Sequence, residues 1–417
     1  MALLGPMLVV AESSATDFID VLGKAGAFPI AQTRWADVPA AIAETQPVAL
    51  AVAEPQAKPS PRHVDAAIDC IETRGGPIMP VIARVDTSST AAIPGALPIA
   101  MNESNERLTA QLCWALRIRT LHATVLRRSR AAAATKKVPT FVPPDLLEDA
   151  AVLCVARGGS YLALSAAISQ RTGLIGALSV DTAARYLNAR DVEGVVIGDG
   201  LGPRVAETLL IMLAENARFR DLPVGVLNNV TADDERLPNL VRVDAVRLVE
   251  RILPFVRLQT FAGQLTRTLK SLESEQAIDP HTGLLAAQTF WRKLERAVQE
   301  SEETSAALAV ARFTFDGVAD HRAYVDAARL FSRLVRNIDF AYREQDGSIL
   351  AAFTKTDLRS AHLLARRIAS VLRHTMLSPD RDRRAIKPTI TLAALKPTDD
   401  LSTLVARLGA HPKVAAE

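Results

Sequence analysis

Short runs of apolar residues alternate with helical patterns from the start of the chain, and Met7 to Ala11, Val48 to Ala53, Met79 to Val85 and Leu97 to Met101 read as strands. Continuous apolar strands joined by helical crossovers are the pattern of a doubly wound parallel sheet buried on both faces. The alternation returns further on, with strands predicted at Ala151 to Val155, Gly176 to Ser179, Gly194 to Gly198, Leu222 to Leu227 and Leu240 to Val243. Each half ends in a long amphipathic helix. The first spans Leu108 to Arg128, with Leu112, Ala115, Leu116, Leu121 and Leu126 on one side. The second spans Val246 to Gln276 and places Leu253, Val256, Phe261, Leu265, Leu269 and Leu272 at helical or heptad spacing.

The last third changes character. An amphipathic stretch from Phe290 to Val298 precedes a strand from Ala306 to Phe315 and a helix from Ala323 to Val335. Strand-like Phe340-Ala341-Tyr342 and Ile349 to Phe353 then flank Asp346-Gly347, a strong hairpin turn signal. A helix from Ser360 to His374 and a strand from Thr389 to Leu395 follow. The expected division is therefore 1–130, a linker at 131–147, a second α/β domain at 148–262, a connecting helix at 263–277 and an α+β domain at 278–417.

Composition suits globular domains: the 417 residues are 49% hydrophobic and 23% charged. A net charge of +3 is too small to argue for nucleic acid or a membrane surface. The arginines at the end of the first long helix lack interleaved aromatics and read as a solvated helix end. Cys70, Cys113 and Cys154 are odd in number and widely spaced, which points to neither a disulfide framework nor a zinc site and suits a reduced cytosol. Met1 to Val10 has no basic leader and reads as a strand, and no apolar stretch approaches the roughly 20 residues of a membrane span.

Asp279-Pro280-His281-Thr282-Gly283-Leu284 resembles the D-P-L-T-G-L entry of GGDEF domains, the family that makes cyclic di-GMP from GTP, and the order of elements after it is similar to that family's. The resemblance implies carboxylates that hold magnesium on a triphosphate and a glycine pair that admits its phosphates. Here the five signature positions read Gln345, Asp346, Gly347, Ser348 and Ile349, and Thr314 stands where the first metal carboxylate belongs. The segment from Thr314 to Arg336 is also about ten residues short and carries no guanine-holding stretch. These losses predict no cyclase activity and no cofactor. An active enzyme would require Asp316 and Asp346 to rebuild a metal site.

Arg336-x-x-Asp339 stands where the resemblance places the family's product-binding site, and Arg367 falls where it places a supporting arginine. An arginine fork can pair with guanine or phosphate, and a carboxylate can accept from guanine N1 and N2 protons. Cyclic di-GMP is therefore the expected ligand of Arg336, Asp339 and Arg367. A plain reading competes with it, since Arg and Asp three apart also form ordinary solvated pairs of little worth.

The two α/β halves look like response-regulator receivers without their chemistry, that is, pseudoreceivers. In the first, Glu12, Glu54, Val85 and Asn102 occupy the neighbourhoods of the acidic pair, the acceptor and their partners. In the second, Asp199 followed four residues later by Pro203 is the best phosphoacceptor candidate, but Arg157-Gly158-Gly159 and Asn228 replace its partners. Gly198-Asp199-Gly200-Leu201-Gly202-Pro203 reads as a strand-to-helix turn, not a nucleotide loop. The whole resembles PleD-type regulators and, with its degenerate cyclase, PopA-type cyclic di-GMP effectors. That implies a cytoplasmic receptor that contacts protein partners through its pseudoreceivers and pairs as a homodimer through the second connector. A ligand-independent adaptor is the alternative.

Overall fold

The computed structural model describes residues 3–53, 59–74, 76–86, 91, 93–101, 103–133, 146–228, 235–274, 277–316, 321–375, 387–397, 399–410 and 414–415. The expectations placed on Glu54 and Asn102, and most of the 131–147 linker, lie outside the described residues. The chain divides into two compact units, 1–180 with 192–265, and 181–191 with 266–417.

The first unit holds two parallel sheets. In the first, strands β1 (Leu3–Val10), β2 (Ala27–Thr33), β3 (Ala49–Val52), β4 (Val81–Val85) and β5 (Leu97–Ala100) lie in the order β2-β1-β3-β4-β5. Helices α1 (Thr16–Lys24), α2 (Val38–Thr45) and α3 (Pro61–Thr73) connect them, and α4 (Asn105–Ala133) follows. In the second sheet, β6 (Ala151–Val155), β7 (Gly173–Ala177), β8 (Gly194–Ile197), β9 (Val224–Leu227) and β10 (Leu240–Val243) lie in the order β10-β9-β8-β6-β7. In chain order the helices of this stretch are α5 (Ser160–Ser169), α6 (Val180–Ala189), α7 (Pro203–Glu215) and α8 (Ala245–Glu273), of which residues 181–189 and 266–273 fall in the second unit. Both sheets thus have the flavodoxin-like order 2-1-3-4-5. All residues of β3, β6, β8 and β9 are buried, which is why those strands announce themselves as unbroken apolar runs.

Edge strands are less legible. The pattern does not predict β2, because Pro29 and Gln32 interrupt it and Phe28 is 79% exposed, as an edge tolerates. β7 begins three residues earlier than expected, at Gly173, whose N–H donates to Ala150 O at 3.0 Å.

The first half of α8 lies on its own sheet: Leu248, Ile252, Phe255 and Val256 are buried. Cβ atoms built on Gly194 and Gly225 would strike Val256 and Leu248 at 2.7 and 2.9 Å, so the helix approaches as closely as glycine allows. Along α4 and α8, Trp114 stacks on Phe255 at 6.2 Å and His122 meets Phe261 edge-on at 4.9 Å. Both helices are 29 residues long and meet at nearly equivalent positions, so the two halves face each other through like surfaces, as in an isologous dimer.

The second unit holds an antiparallel sheet in the order β12-β13-β11-β14-β15, from β11 (Leu308–Asp316), β12 (Phe340–Arg343), β13 (Ile349–Thr354), β14 (Lys387–Ala394) and β15 (Val414–Ala415). Side chains on β11 alternate between two cores. Ala309, Ala311, Phe313 and Phe315 face α10 (His321–Leu334) and α11 (Leu358–Thr375). Leu308 and Val310 face α9 (Ala287–Thr304) and α12 (Leu401–Ala410). The sequence pattern does not predict α12, although Leu404 and Leu408 recur at helical spacing and Asp400 accepts from Thr403 N–H at 2.7 Å at its start. Among the described residues, no helix is long and apolar enough to cross a membrane.

His122 Nδ1 accepts from Ile78 N–H at 2.9 Å, so the ring is neutral, and burial first and Arg119 second lower its pKa. A depressed histidine contributes stability above its unfolded value near 6.5 and loses it as pH falls towards the folded value. The first unit is therefore expected to lose denaturation midpoint below about pH 6.5. His122→Asn, which keeps an acceptor and cannot titrate, is expected to flatten that dependence in denaturant titrations from pH 8 to 5.

Candidate functional site

Two turns at opposite ends of the β12–β13 hairpin carry the candidate residues. At the tip, Arg343 pairs with Ile349, Glu344 N–H donates to Ser348 O at 2.8 Å, and Gly347 N–H donates to Glu344 O at 3.1 Å. Gly347 has φ of 85°, and a Cβ there would lie 2.6 Å from the Tyr324 ring. The Asp-Gly signal thus does form a hairpin, with glycine at its left-handed position.

The tip's carboxylates are already engaged. Arg312 Nε lies 2.9 Å from Glu344 Oε2, and its terminal nitrogen donates to Asp346 Oδ2 at 2.9 Å. Ser348 Oγ–H lies 2.6 Å from both Glu344 Oε2 and Asp346 Oδ1, and Ser348 N–H donates to Asp346 Oδ1 at 2.9 Å. Burial acts to raise the Asp346 pKa, but the Ser348 hydroxyl and N–H and the Arg312 guanidinium outweigh it and hold Asp346 below the usual carboxylate range. A single guanidinium therefore bridges both carboxylates of the hairpin tip. Arg312 carried a signal that sequence reasoning passed over, as a charge amid the apolar run Ala309-Val310-Ala311-Arg312-Phe313 demands a partner. Thr314 sits on the same strand opposite Thr389, and the side chain of Asp316 lies outside the described residues. Among the described residues, no group of three or more His, Cys, Asp or Glu could hold a metal ion.

The hairpin's open end carries Arg336-x-x-Asp339. α10 ends at Leu334, Asp339 N–H donates to Arg336 O at 3.0 Å, and this turn delivers the chain into β12. Asp339 is only 7% exposed, and its Oδ1 accepts from Thr354 N–H at 3.0 Å at the end of β13. Burial raises its pKa, against the Thr354 hydrogen bonds and the attraction of Arg336. Arg336 and Arg367 are exposed, and among the described residues neither side chain makes a hydrogen bond or ion pair. The turn brings Arg336 and Asp339 together. Arg367 stands on the outer face of α11, between the buried Leu364 and Ile368, and no hydrogen bond or ion pair joins it to them.

The Asp279-Pro280-His281-Thr282-Gly283-Leu284 entry folds into a turn that explains its residue types. Thr282 Oγ–H donates to Asp279 Oδ2 at 2.5 Å, Gly283 takes φ of 75°, and Leu284 is buried. Leu285 N–H then donates to Ala341 O at 2.9 Å, which fixes the turn to β12.

Asp199 follows β8 in the first unit, where Oδ1 accepts from Ser160 N–H at 3.2 Å and from the Ser160 hydroxyl. It therefore caps α5. A Cβ on Gly158 would lie 2.3 Å from Asp199 Oδ1, so glycine is what permits the approach. Arg157 Nε–H donates to Leu178 O, Asn228 donates to Asp244 Oδ1 at 2.9 Å, and Glu12 Oε1 accepts from Trp35 N–H at 3.3 Å. Pro203 is the first residue of α7, so 198–203 is a strand-to-helix turn.

No protein-family model matches the chain, and no curated protein matches it. Among solved structures it is similar to the coiled coil and GGDEF domain of DgcB from Caulobacter crescentus in complex with c-di-GMP, at 19% identity over 35% of this chain and 84% of that chain, with a TM-score of 0.31. It is similar to the diguanylate cyclase SiaD from Pseudomonas aeruginosa in complex with its activator SiaC, at 22% identity over 40% of this chain and 68% of that chain, with a TM-score of 0.30. A third is the FimX GGDEF domain from Pseudomonas aeruginosa, at 19% identity over 32% of this chain and 89% of that chain, with a TM-score of 0.29.

Two glycines of the second unit are expected to respond in opposite directions. Gly347→Ala, with its positive φ and its contact with Tyr324, should lower the unfolding free energy read from denaturant titrations by about 1–3 kcal/mol. Gly409→Ala, inside α12 with nothing within 4 Å, should raise it by about 0.5–1 kcal/mol.

Proposed function

We propose that this chain is a catalytically inactive GGDEF-type receptor that binds cyclic di-GMP at Arg336 and Asp339, with Arg367 in support, and passes the bound state to protein partners. The observation that carries this reading is the contrast between the hairpin's two ends. At the tip, Arg312 ties up Glu344 and Asp346. At the open end, the Arg336 guanidinium is exposed, and Asp339 spends one oxygen on Thr354 N–H. Its other oxygen makes no hydrogen bond among the described residues and can accept from guanine N1 and N2 protons. The guanidinium can pair bidentately with guanine O6 and N7 or with a phosphate.

The two parallel-sheet regions serve in this reading as pseudoreceivers, within the boundaries 1–130 and 148–262. Asp199 contributes a helix cap instead of a phosphoacceptor, because its carboxylate is committed to Ser160. A homodimer through α8 and partner contacts through the pseudoreceivers belong to the same reading.

Calorimetric titration of cyclic di-GMP into the full chain tests it. Micromolar or tighter binding is expected, and Arg336→Ala should weaken it by about 10- to 100-fold, the loss of one bidentate contact. No binding at high micromolar ligand would sink the proposal.

Acid should act through Asp339. Its pKa is raised, and only the ionised form accepts from the guanine edge, so affinity is expected to be full at neutral pH and to fall as pH drops through a value above the usual aspartate range. Asp339→Asn should bind more weakly at pH 7 and lose that pH dependence.

A further inference from the structure

Helix α10 ends two residues before Arg336, and its far side is held by charges that the proposed binding chemistry does not use. Asp326, Arg329 and Arg333 lie along α10 at spacings that put them on one face. Against that face sits the corner 189–191 at the end of α6, which belongs to the same compact unit. Arg190 lies 3.3 Å from Asp326 Oδ2, with 8% and 17% of the two side chains exposed, and Asp191 pairs with Arg333. Ala189 packs on the core formed by α10, α11 and the sheet. Arg329 stands 3.9 Å from Asp326 and donates to His281 O at 2.8 Å.

The two ion pairs run in opposite senses, cation to anion and anion to cation along the corner. A one-residue slip would set Arg190 against Arg333, so the pattern fixes register as well as contact. The Arg333 side chain is partly covered, with 31% exposed, and burial lowers its pKa while leaving the guanidinium charged, with Asp191 as its counter-ion. It occupies the last turn of α10, where Val335 N–H donates to Phe331 O at 3.2 Å, and the Arg336 turn follows directly. The helix end leads directly into the Arg336 turn, whose Asp339 accepts from Thr354 N–H, and the charge pairs lie at the base of this run.

We propose that the Ala189–Asp191 corner is a positioning element for the Arg336–Asp339 turn: docked on α10, it holds the turn in the geometry that presents Arg336 and Asp339 to an anionic guanine nucleotide. Arg190, Asp191 and Arg333 are positioning residues that touch no ligand. The ligand half of this statement rests on the receptor reading above, and the mechanical half does not.

Amide hydrogen exchange of the full chain without ligand tests the mechanical half. Asp191→Ala is expected to speed exchange at the Asp339 and Thr354 amides about tenfold, while Val310 and Ala311 in β11 keep their protection and report an intact fold. The paired reversal Asp191→Arg with Arg333→Asp should restore the slow rates. Unchanged exchange at Asp339 and Thr354 in Asp191→Ala overturns the proposal. Titration of the same proteins with cyclic di-GMP then separates the two readings. An affinity about tenfold weaker in Asp191→Ala supports both. Faster exchange in Asp191→Ala alongside a wild-type chain that binds no cyclic di-GMP keeps the positioning role and removes the ligand. Wild-type binding with neither exchange nor affinity altered in Asp191→Ala removes the positioning role and keeps the ligand.

Discussion

A carboxylate taken out of water must be answered by hydrogen-bond donors or charge, and Asp339, 7% exposed where β12 begins, is answered by the Thr354 N–H at the end of β13. That bond closes the open end of the hairpin and fixes the exit of α10. It also determines what the turn can offer. With Asp339 drawn inward, Arg336 is left as the outward charge, and the pair presents one acceptor and one fork side by side. Removing the bond would free the hairpin end and leave a buried charge without its donor.

Two other carboxylates meet the same constraint differently. Asp346 is held by Arg312 and Ser348, and Asp199 by the N-terminal end of α5. In both, the carboxylate is bound by the chain's own donors. The glycines follow the same logic, since Gly158 and Gly347 stand where a Cβ would strike Asp199 and Tyr324.

The α+β unit packs its sheet between two helix layers, and full burial of Phe313, Phe331 and Phe290 contributes on the order of 1.5–3 kcal/mol each. Such a core tolerates changes at the hairpin tip, because the tip lies beyond the paired strands. The turn at the other end faces outward with Arg336.

Strand period, apolar runs and the Asp-Gly turn were legible from the sequence because local backbone preference and burial act on neighbours along the chain. Hence β6, β8, β11 and the hairpin fell where the pattern placed them, while β2 at an edge and α12 near the end did not stand out. The residue types of the Arg336 turn were also legible, but their division of labour was not. Only tertiary structure decided that Asp339 faces Thr354, that Arg312 pairs with Glu344 and Asp346 at the hairpin tip, that Asp199 caps α5, and that Asp191 reaches Arg333. Each of those pairings joins positions between 15 and 142 residues apart, and long-range charge pairing is set by how elements pack, which no local pattern encodes.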